Sequence, residues 1–385
     1  MPNLPIYLDN AATTPVDLRV VDAMLPYLTA QFGNPASGTH VFGQAASRAV
    51  ERAREHVAAL INAQPAEIAW TSGATESNNL AIKGAAFANA RRGKHMVTVA
   101  TEHKATLDTM HWLETQGFAV TVLAPESNGL ISLDNFSNAL RADTVLASVM
   151  LVNNEIGVIQ DVAALGAICR ERGVLLHVDA AQATGKLPID LAALPVDLMS
   201  LTAHKTYGPK GIGALYVRNA PHVHIDCQMH GGGHEHGLRS GTLATHQIAG
   251  IGECFRLARE DMATEVPRIR AQRDRLWDAL RALDGVRLNG DLQQRVAHNL
   301  NISIANCDLP LAALTEVAIS SASACIIGQA SHVIAALGDV GGSEATAMVM
   351  RITVGRFNTD ADIDFAARYL HDKIKTHRAV KQKAA

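Results

Sequence analysis

The strongest constraint on this chain is a repeated change of rhythm between residues 67 and 217. Short apolar runs at 68–71, 96–100, 119–123, 144–149, 175–179, 198–202 and 214–217 have the length and residue types of strands. Helical periodicity fills much of the space between them, from residue 76, at 106–116, at 133–140 and at 162–172. Strands joined through helices run parallel, because the connection must cross a face of the sheet before the chain can pair again. The expected fold class is therefore α/β, a large mostly parallel sheet with helices on both faces. Two helices, at 16–30 and 43–62, precede it, separated by a loop at Phe32-Gly33-Asn34-Pro35.

After Thr242 the pattern changes to a long helical stretch, expected to break near Pro267 and to resume as far as residue 283. Strands at 286–289, 300–304, 317–320 and 350–354, with a closing helix at 360–375, read as a smaller α+β unit. The basic tail from Lys375 to Lys383 is expected to fray. A chain of 385 residues exceeds one ordinary core. The expected division is a large domain over 16–260 and a small one built from 1–15 and 261–385.

Composition removes several classes of function. A net charge of −3 provides no global basic field for nucleic acid or an anionic membrane. No run of about 18 apolar residues suggests a membrane span, and Met1-Pro2-Asn3-Leu4-Pro5 lacks the pattern of a secretory signal. The five cysteines have no CxxC spacing, which fits a reducing cytoplasm.

In open α/β sheets ligands sit outside the carboxyl ends of the strands, and five strand ends here carry polar clusters. Thr71-Ser72-Gly73-Ala74-Thr75-Glu76 has the small residues and hydroxyls of an anion cradle at a helix start. It also reads as a plain cap with Thr75 as N-cap. His177-Val178-Asp179-Ala180-Ala181-Gln182 offers a carboxylate for a protonated ring nitrogen and an amide for a phenolic oxygen, although Asp179 also suits a helix cap. Glu102-His103-Lys104 offers a stacking imidazole, and Asn153-Asn154-Glu155 offers amide donors. Ser200-Leu201-Thr202-Ala203-His204-Lys205 ends on an amine, which in isolation would simply point to water. Together the five ends describe a pyridoxal 5′-phosphate site. His230-Gly231-Gly232-Gly233-His234-Glu235-His236 contains zinc-type ligands, but its glycine content reads as a loop and no metal is expected.

These motifs occur in an ordered set. Tyr7-Leu8-Asp9-Asn10-Ala11-Ala12-Thr13-Thr14-Pro15 opens it, and Val152-Asn153-Asn154-Glu155-Ile156-Gly157 and Arg239-Ser240-Gly241-Thr242 continue it. The whole set resembles cysteine desulfurases of the IscS/NifS type, within the class V aminotransferase family of pyridoxal phosphate fold-type I enzymes. The resemblance implies a homodimer in which Lys205 carries the cofactor as a Schiff base. It places Ala74, Thr75, His103, Asn154, Asp179, Gln182, Thr202 and His204 around that cofactor, with Thr242 reaching the phosphate held by the partner subunit.

Ser320-Ser321-Ala322-Ser323-Ala324-Cys325 resembles the family's loop with the catalytic cysteine, and Arg351 matches the arginine that grips the substrate carboxylate. The alternative for Arg351 is a structural salt bridge. The implied reaction converts L-cysteine to L-alanine and leaves the sulfur as a persulfide on Cys325. From there it passes to an acceptor protein for iron–sulfur cluster assembly, tRNA thiolation or DNA phosphorothioation. The rival readings are a selenocysteine lyase or an aminotransferase and, in another class, a non-catalytic scaffold. The chain departs from the family in four places. His236 stands where arginine is usual, and Thr202-Ala203 replaces Ser-Gly or Ser-Ala. After Cys325, Ile326-Ile327-Gly328-Gln329 reaches the next helix about two residues sooner, at ~3.3 Å of reach per residue. This shorter loop and an end soon after the last helix count against delivery to the usual partner, and the loop leans toward a specialised sulfur acceptor.

Overall fold

The computed structural model describes residues 4–321, 331–338 and 347–384. The chain opens with β1 (Ile6–Tyr7), α1 (Leu18–Met24) and the long α2 (Val41–Leu60). The expected helix over 16–30 thus closes early. Its last part is a 3-10 turn at Leu25–Leu28, entered at Pro26, which has no N–H to continue an α-helical ladder.

The alternating region then supplies β2 (Ile68–Thr71), α3 (Ala74–Ala88), β3 (His95–Val99) and α4 (Lys104–Thr115). It continues through β4 (Ala119–Leu123), α5 (Leu133–Ala139), β5 (Thr144–Met150) and α6 (Val162–Glu171). The strands β6 (Leu175–Asp179), β7 (Leu198–Thr202) and β8 (Gly213–Val217) complete it. Together they form one seven-stranded sheet of order β2-β8-β7-β6-β5-β3-β4. The pairs β3–β4, β3–β5, β5–β6 and β6–β7 are parallel, whereas β8 is antiparallel to both of its neighbours. The strands β3, β5, β6 and β7 are buried at every residue. Continuous apolar runs such as Val145-Leu146-Ala147 are what a sheet covered on both faces requires. The parallel strands end on the same side, so Thr98–Val99, Val149–Met150, Val178–Asp179 and Leu201–Thr202 present their following loops to one place.

Beyond the sheet runs α7 (Thr245–Leu280), a single helix through Pro267. The expected break does not occur. Proline costs one ladder bond, but the helix buries Ile248, Ile251, Phe255 and Ala258 before that point and Ile269, Leu276 and Leu280 after it. Apolar burial on both sides, at about 25 cal/mol per Å², outweighs the local defect.

A second sheet contains β9 (Val286–Leu288), β10 (Asn299–Ala305) and β12 (Ala347–Thr353) in the order β12-β10-β9, all antiparallel. The short β11 (Val317–Ala318) pairs in parallel with β1, at the opposite end of the sequence. One apolar cluster joins Ile6 and Leu8 to Leu276, Leu300, Ile302, Met350 and Ile374. A short α8 (His332–Ala336) precedes β12, and α9 (Asp360–Ala384) closes the chain. The tail expected to fray is helical. His377 and Lys381 both bond Asp308, at 2.7 and 2.8 Å, and Arg378 donates to the Asp284 carbonyl at 2.7 Å. No helix among the described residues is long and apolar enough to cross a membrane.

Candidate active site

The loops after the parallel strands enclose a cavity of about 410 Å³. Ala74, Thr75, His103, Asn154, Asp179, Gln182, Thr202, His204, Lys205 and Arg351 all line it. Thr242 does not; it is exposed on the segment that follows the glycine-rich loop. Cys325, and the residues 326–329 after it, lie outside the described residues.

Lys205 follows β7 directly, in a turn held from three directions. Thr13 and Thr14 hydroxyls donate to the His204 carbonyl at 3.4 and 3.0 Å, and the Thr14 hydroxyl accepts the Tyr207 N–H at 2.8 Å. The Lys186 ammonium donates to the Lys205 carbonyl at 2.9 Å. The turn includes Tyr207 at φ +62°, a left-handed conformation that a bulky residue adopts only when its surroundings impose it. Thr13 and Thr14 belong to the opening motif, but nothing local places them against this turn, and Lys186 carries no sequence signal; all three are brought there by tertiary contact.

Asp179 ends β6 with both carboxylate oxygens engaged. Oδ1 accepts the Ala181 N–H at 2.9 Å, and Oδ2 accepts Nδ2 of Asn78 at 2.8 Å. Asn78 lies one turn into α3 and was missed by sequence reasoning. It is buried and fixes the carboxylate's direction. Gln182 spends an amide N–H on the Ala11 carbonyl at 2.8 Å, so the atom left without a partner is its oxygen. Asn153 is consumed structurally: its oxygen caps the N–H groups of Glu155 and Ile156, and its amide donates to the Thr101 carbonyl. Asn154 is thereby left as the residue of that pair whose side chain reaches the cavity.

The cradle begins two residues earlier than a Thr75 cap requires. The N-cap of α3 is Gly73 at φ +151°, where a side chain would be strained. The next strand is tucked beneath it, since a Cβ on Gly213 would come within 2.7 Å of the Gly73 Cα. Glu76 accepts the Ser72 N–H at 2.7 Å and pairs with Arg239 Nε at 2.8 Å. That ion pair ties the segment carrying Thr242 to the cradle.

Burial and neighbouring cations keep the site's imidazoles neutral. His103 is lowered by burial and then by the charge of Lys205. Its Nδ1 accepts the Ala105 N–H at 3.1 Å as the N-cap of α4, so the neutral ring carries its proton on Nε2. His204 is pushed down to about 4 by burial, then by Lys205 and Lys210. Arg351 is almost fully buried. It donates to Asp9 Oδ1 and to the Asn154 carbonyl, both at 2.9 Å, while its Nε has no partner. The salt bridge and the cavity position coexist.

In the glycine-rich loop, Glu235 is buried and paired with Arg54 at 2.8 Å, and its carboxylate also accepts the Trp70 N–H at 2.8 Å. No group of three or more His, Cys, Asp or Glu side chains comes together as a metal site among the described residues.

His177, in the middle of β6, is wholly buried between the hydroxyls of Ser148 and Ser200, at 2.8 and 2.9 Å. Burial pushes it down to about 4 from an ordinary 6.5. The unfolded chain therefore binds the extra proton between pH 6.5 and 4, and stability falls as pH drops through that window. The loss reaches about 3 kcal/mol for a shift of this size. Urea unfolding followed from pH 7 to 4 should show it, with a flatter profile in His177→Asn. Parallel profiles for the two proteins would remove His177 as the cause.

A sheet with its loops converging on a lysine, a clamped aspartate and a helix N-terminus defines a pyridoxal phosphate enzyme of the fold-type I class. The chain belongs to the class-V aminotransferase family, whose model matches residues 6–365. It is 60% identical over 381 residues to the cysteine desulfurase IscS of Methylococcus capsulatus, covering 98% of this chain and 94% of that protein. Among solved structures, a NifS-like protein superimposes with a TM-score of 0.89 at 34% identity, covering 97% of this chain and 100% of that one. A structure described as SspA in complex with cysteine has a TM-score of 0.81 at 37% identity, covering 92% and 100%.

The cavity suits the cofactor on its own evidence. Pyridoxal phosphate presents a dianion, a ring nitrogen and a phenolic oxygen. The cavity presents the N-terminus of α3, the oriented Asp179, and three buried polar atoms without partners: Asn154 Oδ1, Gln182 Oε1 and Thr202 Oγ1. Unpaired buried polar atoms cost about 1–3 kcal/mol each unless a ligand satisfies them.

Proposed function

We propose that this chain is a cysteine desulfurase in which Lys205, Asp179, His103 and Arg351 work on L-cysteine and Cys325 receives its sulfur. The observation that carries the reading is the convergence of Lys205, Asp179 and three unpaired polar atoms in one cavity. The bound cofactor supplies an electron sink for charge developing at the substrate Cα.

The protein's own groups do the rest. Gly73, Ala74 and Thr75 hold the phosphate with backbone N–H groups at the positive end of α3. Asp179, held rigid by Asn78 and Ala181, keeps a proton on the ring nitrogen. Thr202, Gln182, His204 and Asn154 complete the cofactor's surroundings. Arg351 offers its unpaired Nε edge to the substrate carboxylate, with Asp9 fixing the other side of the guanidinium. The Lys205 amine removes the Cα proton, and the neutral His103 exchanges its Nε2 proton with the substrate thiol.

The Cys325 thiolate then attacks the substrate sulfur. An S–S bond forms on the enzyme as the substrate C–S bond breaks, and the freed three-carbon fragment takes up one proton at Cβ, regains the one removed at Cα, and leaves as alanine. L-Cysteine and one enzyme thiol thus become alanine and one enzyme persulfide, with no outside oxidant. Reconstituted protein given L-cysteine should form alanine and persulfide together, and Cys325→Ser should form neither catalytically. Keto-acid formation in place of alanine would point to an aminotransferase, and persistent enzyme persulfide in Cys325→Ser would exclude Cys325.

The active unit we propose is a homodimer in the cytoplasm. Thr242 is exposed on its own chain, and Leu18, Leu25, Phe32 and Val41 form apolar surface near the start of the chain. Residues 16–260 would form the cofactor domain, with 1–15 and 261–385 as the smaller one. The persulfide sulfur would pass to an acceptor protein.

A further inference from the structure

Behind the turn that carries Lys205 lies a second, small cavity of about 30 Å³, lined by Asn10, Thr14, Lys186, Tyr207, Glu265 and His298. Lys186 is part-exposed as a residue, but its ammonium end is surrounded by protein. Burial, followed by the nearby charge of Lys205, brings it down to about 7. No carboxylate pairs with it among the described residues. Glu265, on the same cavity wall, gives its carboxylate to Arg356 at 2.6 and 3.1 Å. His298 is neutral, with neither ring nitrogen hydrogen-bonded, and Tyr207 accepts the Arg356 N–H. His204, across the turn, is lowered by burial, then by Lys205 and Lys210, and last by Lys186. An ammonium in such company destabilises the fold. What it gains is one hydrogen bond, to the main-chain carbonyl of Lys205.

We infer that Lys186 is a positioning residue that holds the backbone of Lys205 so that its amine meets the cofactor, at the expense of fold stability. The inference rests on the reading of Lys205 as the cofactor-bearing residue. The bond to the carbonyl exists whether Lys186 is charged or neutral, since both forms donate. The destabilisation depends on charge. Because the folded value lies below the unfolded one, it is fully present below pH 7 and fades as pH rises toward 10.5.

The test uses full-length protein stripped of cofactor, as wild type, Lys186→Met and Lys186→Gln. Methionine removes charge and donor, and glutamine keeps a neutral donor. At pH 7 apo Lys186→Met should melt at or above the wild-type temperature, with the advantage shrinking at higher pH. Its affinity for added pyridoxal phosphate should fall about tenfold, the worth of one charge-assisted hydrogen bond, and the visible circular dichroism of the bound cofactor should weaken. Lys186→Gln should fall between the two in affinity. A lower melting temperature accompanying the loss of affinity would make Lys186 a structural residue and overturn the inference. Unchanged affinity and dichroism in both variants would overturn it as well. If the wild type itself takes up no cofactor with a visible band, the functional reading fails instead, which separates the two failures.

Discussion

Lys205→Ala is expected to reduce alanine formation from L-cysteine by at least about 10⁴-fold, the upper range for removing a general base. On the proposed reading the same substitution removes the amine that would anchor the cofactor, so borohydride treatment of the holoenzyme should label wild type and leave the variant unlabelled. Cofactor can still enter, because the cradle at Gly73–Thr75 and the Asp179–Asn78 pair do not involve Lys205. The expected protein therefore binds pyridoxal phosphate reversibly and turns over no cysteine. Residual activity within tenfold of wild type would mean that another group removes the Cα proton.

The second large effect concerns stability. Glu235→Ala is expected to destabilise the chain by about 3–5 kcal/mol, because it strands Arg54 as a buried unpaired charge. The Arg54 and Glu235 side chains are 7% and 2% exposed, and the same carboxylate also satisfies the Trp70 N–H. It holds the loop through two successive left-handed residues, Glu235 at φ +52° and His236 at φ +56°. Denaturant unfolding measures the loss, and Arg54→Met combined with Glu235→Gln should recover part of it, since no charge is then left behind. A change below about 1 kcal/mol in Glu235→Ala would show that the pair is solvated. The loop continues into Arg239 and Thr242, so loosening it should also weaken the Arg239–Glu76 link to the cofactor cradle.

Much of this was legible in the residues. The alternation between 67 and 217 dictated a covered, mostly parallel sheet, and the polar clusters at the strand ends marked Asp179, His103, Asn154 and Lys205. Periodicity of that kind is local, and so is the chemistry of a strand end. The continuity of α7 through Pro267 was not legible, because it depends on apolar surface supplied by α1, α2 and α9. Nor was the helical end of α9, which depends on Asp308, nearly seventy residues away from His377.

The amino-acid order by itself determined the architecture of the large sheet and which side chains sit at its carboxyl edge. Only the tertiary structure decided how those side chains are held. Asn78 reaches Asp179 across 101 positions, Gln182 reaches Ala11 across 171, and Thr14 reaches His204 across 190. Such contacts leave no periodic trace, since a single buried hydrogen bond needs one residue in one place. Lys205 could be found from its neighbours in the chain, but what fixes it in position is Lys186, Thr13 and Thr14, which only folding brings to it.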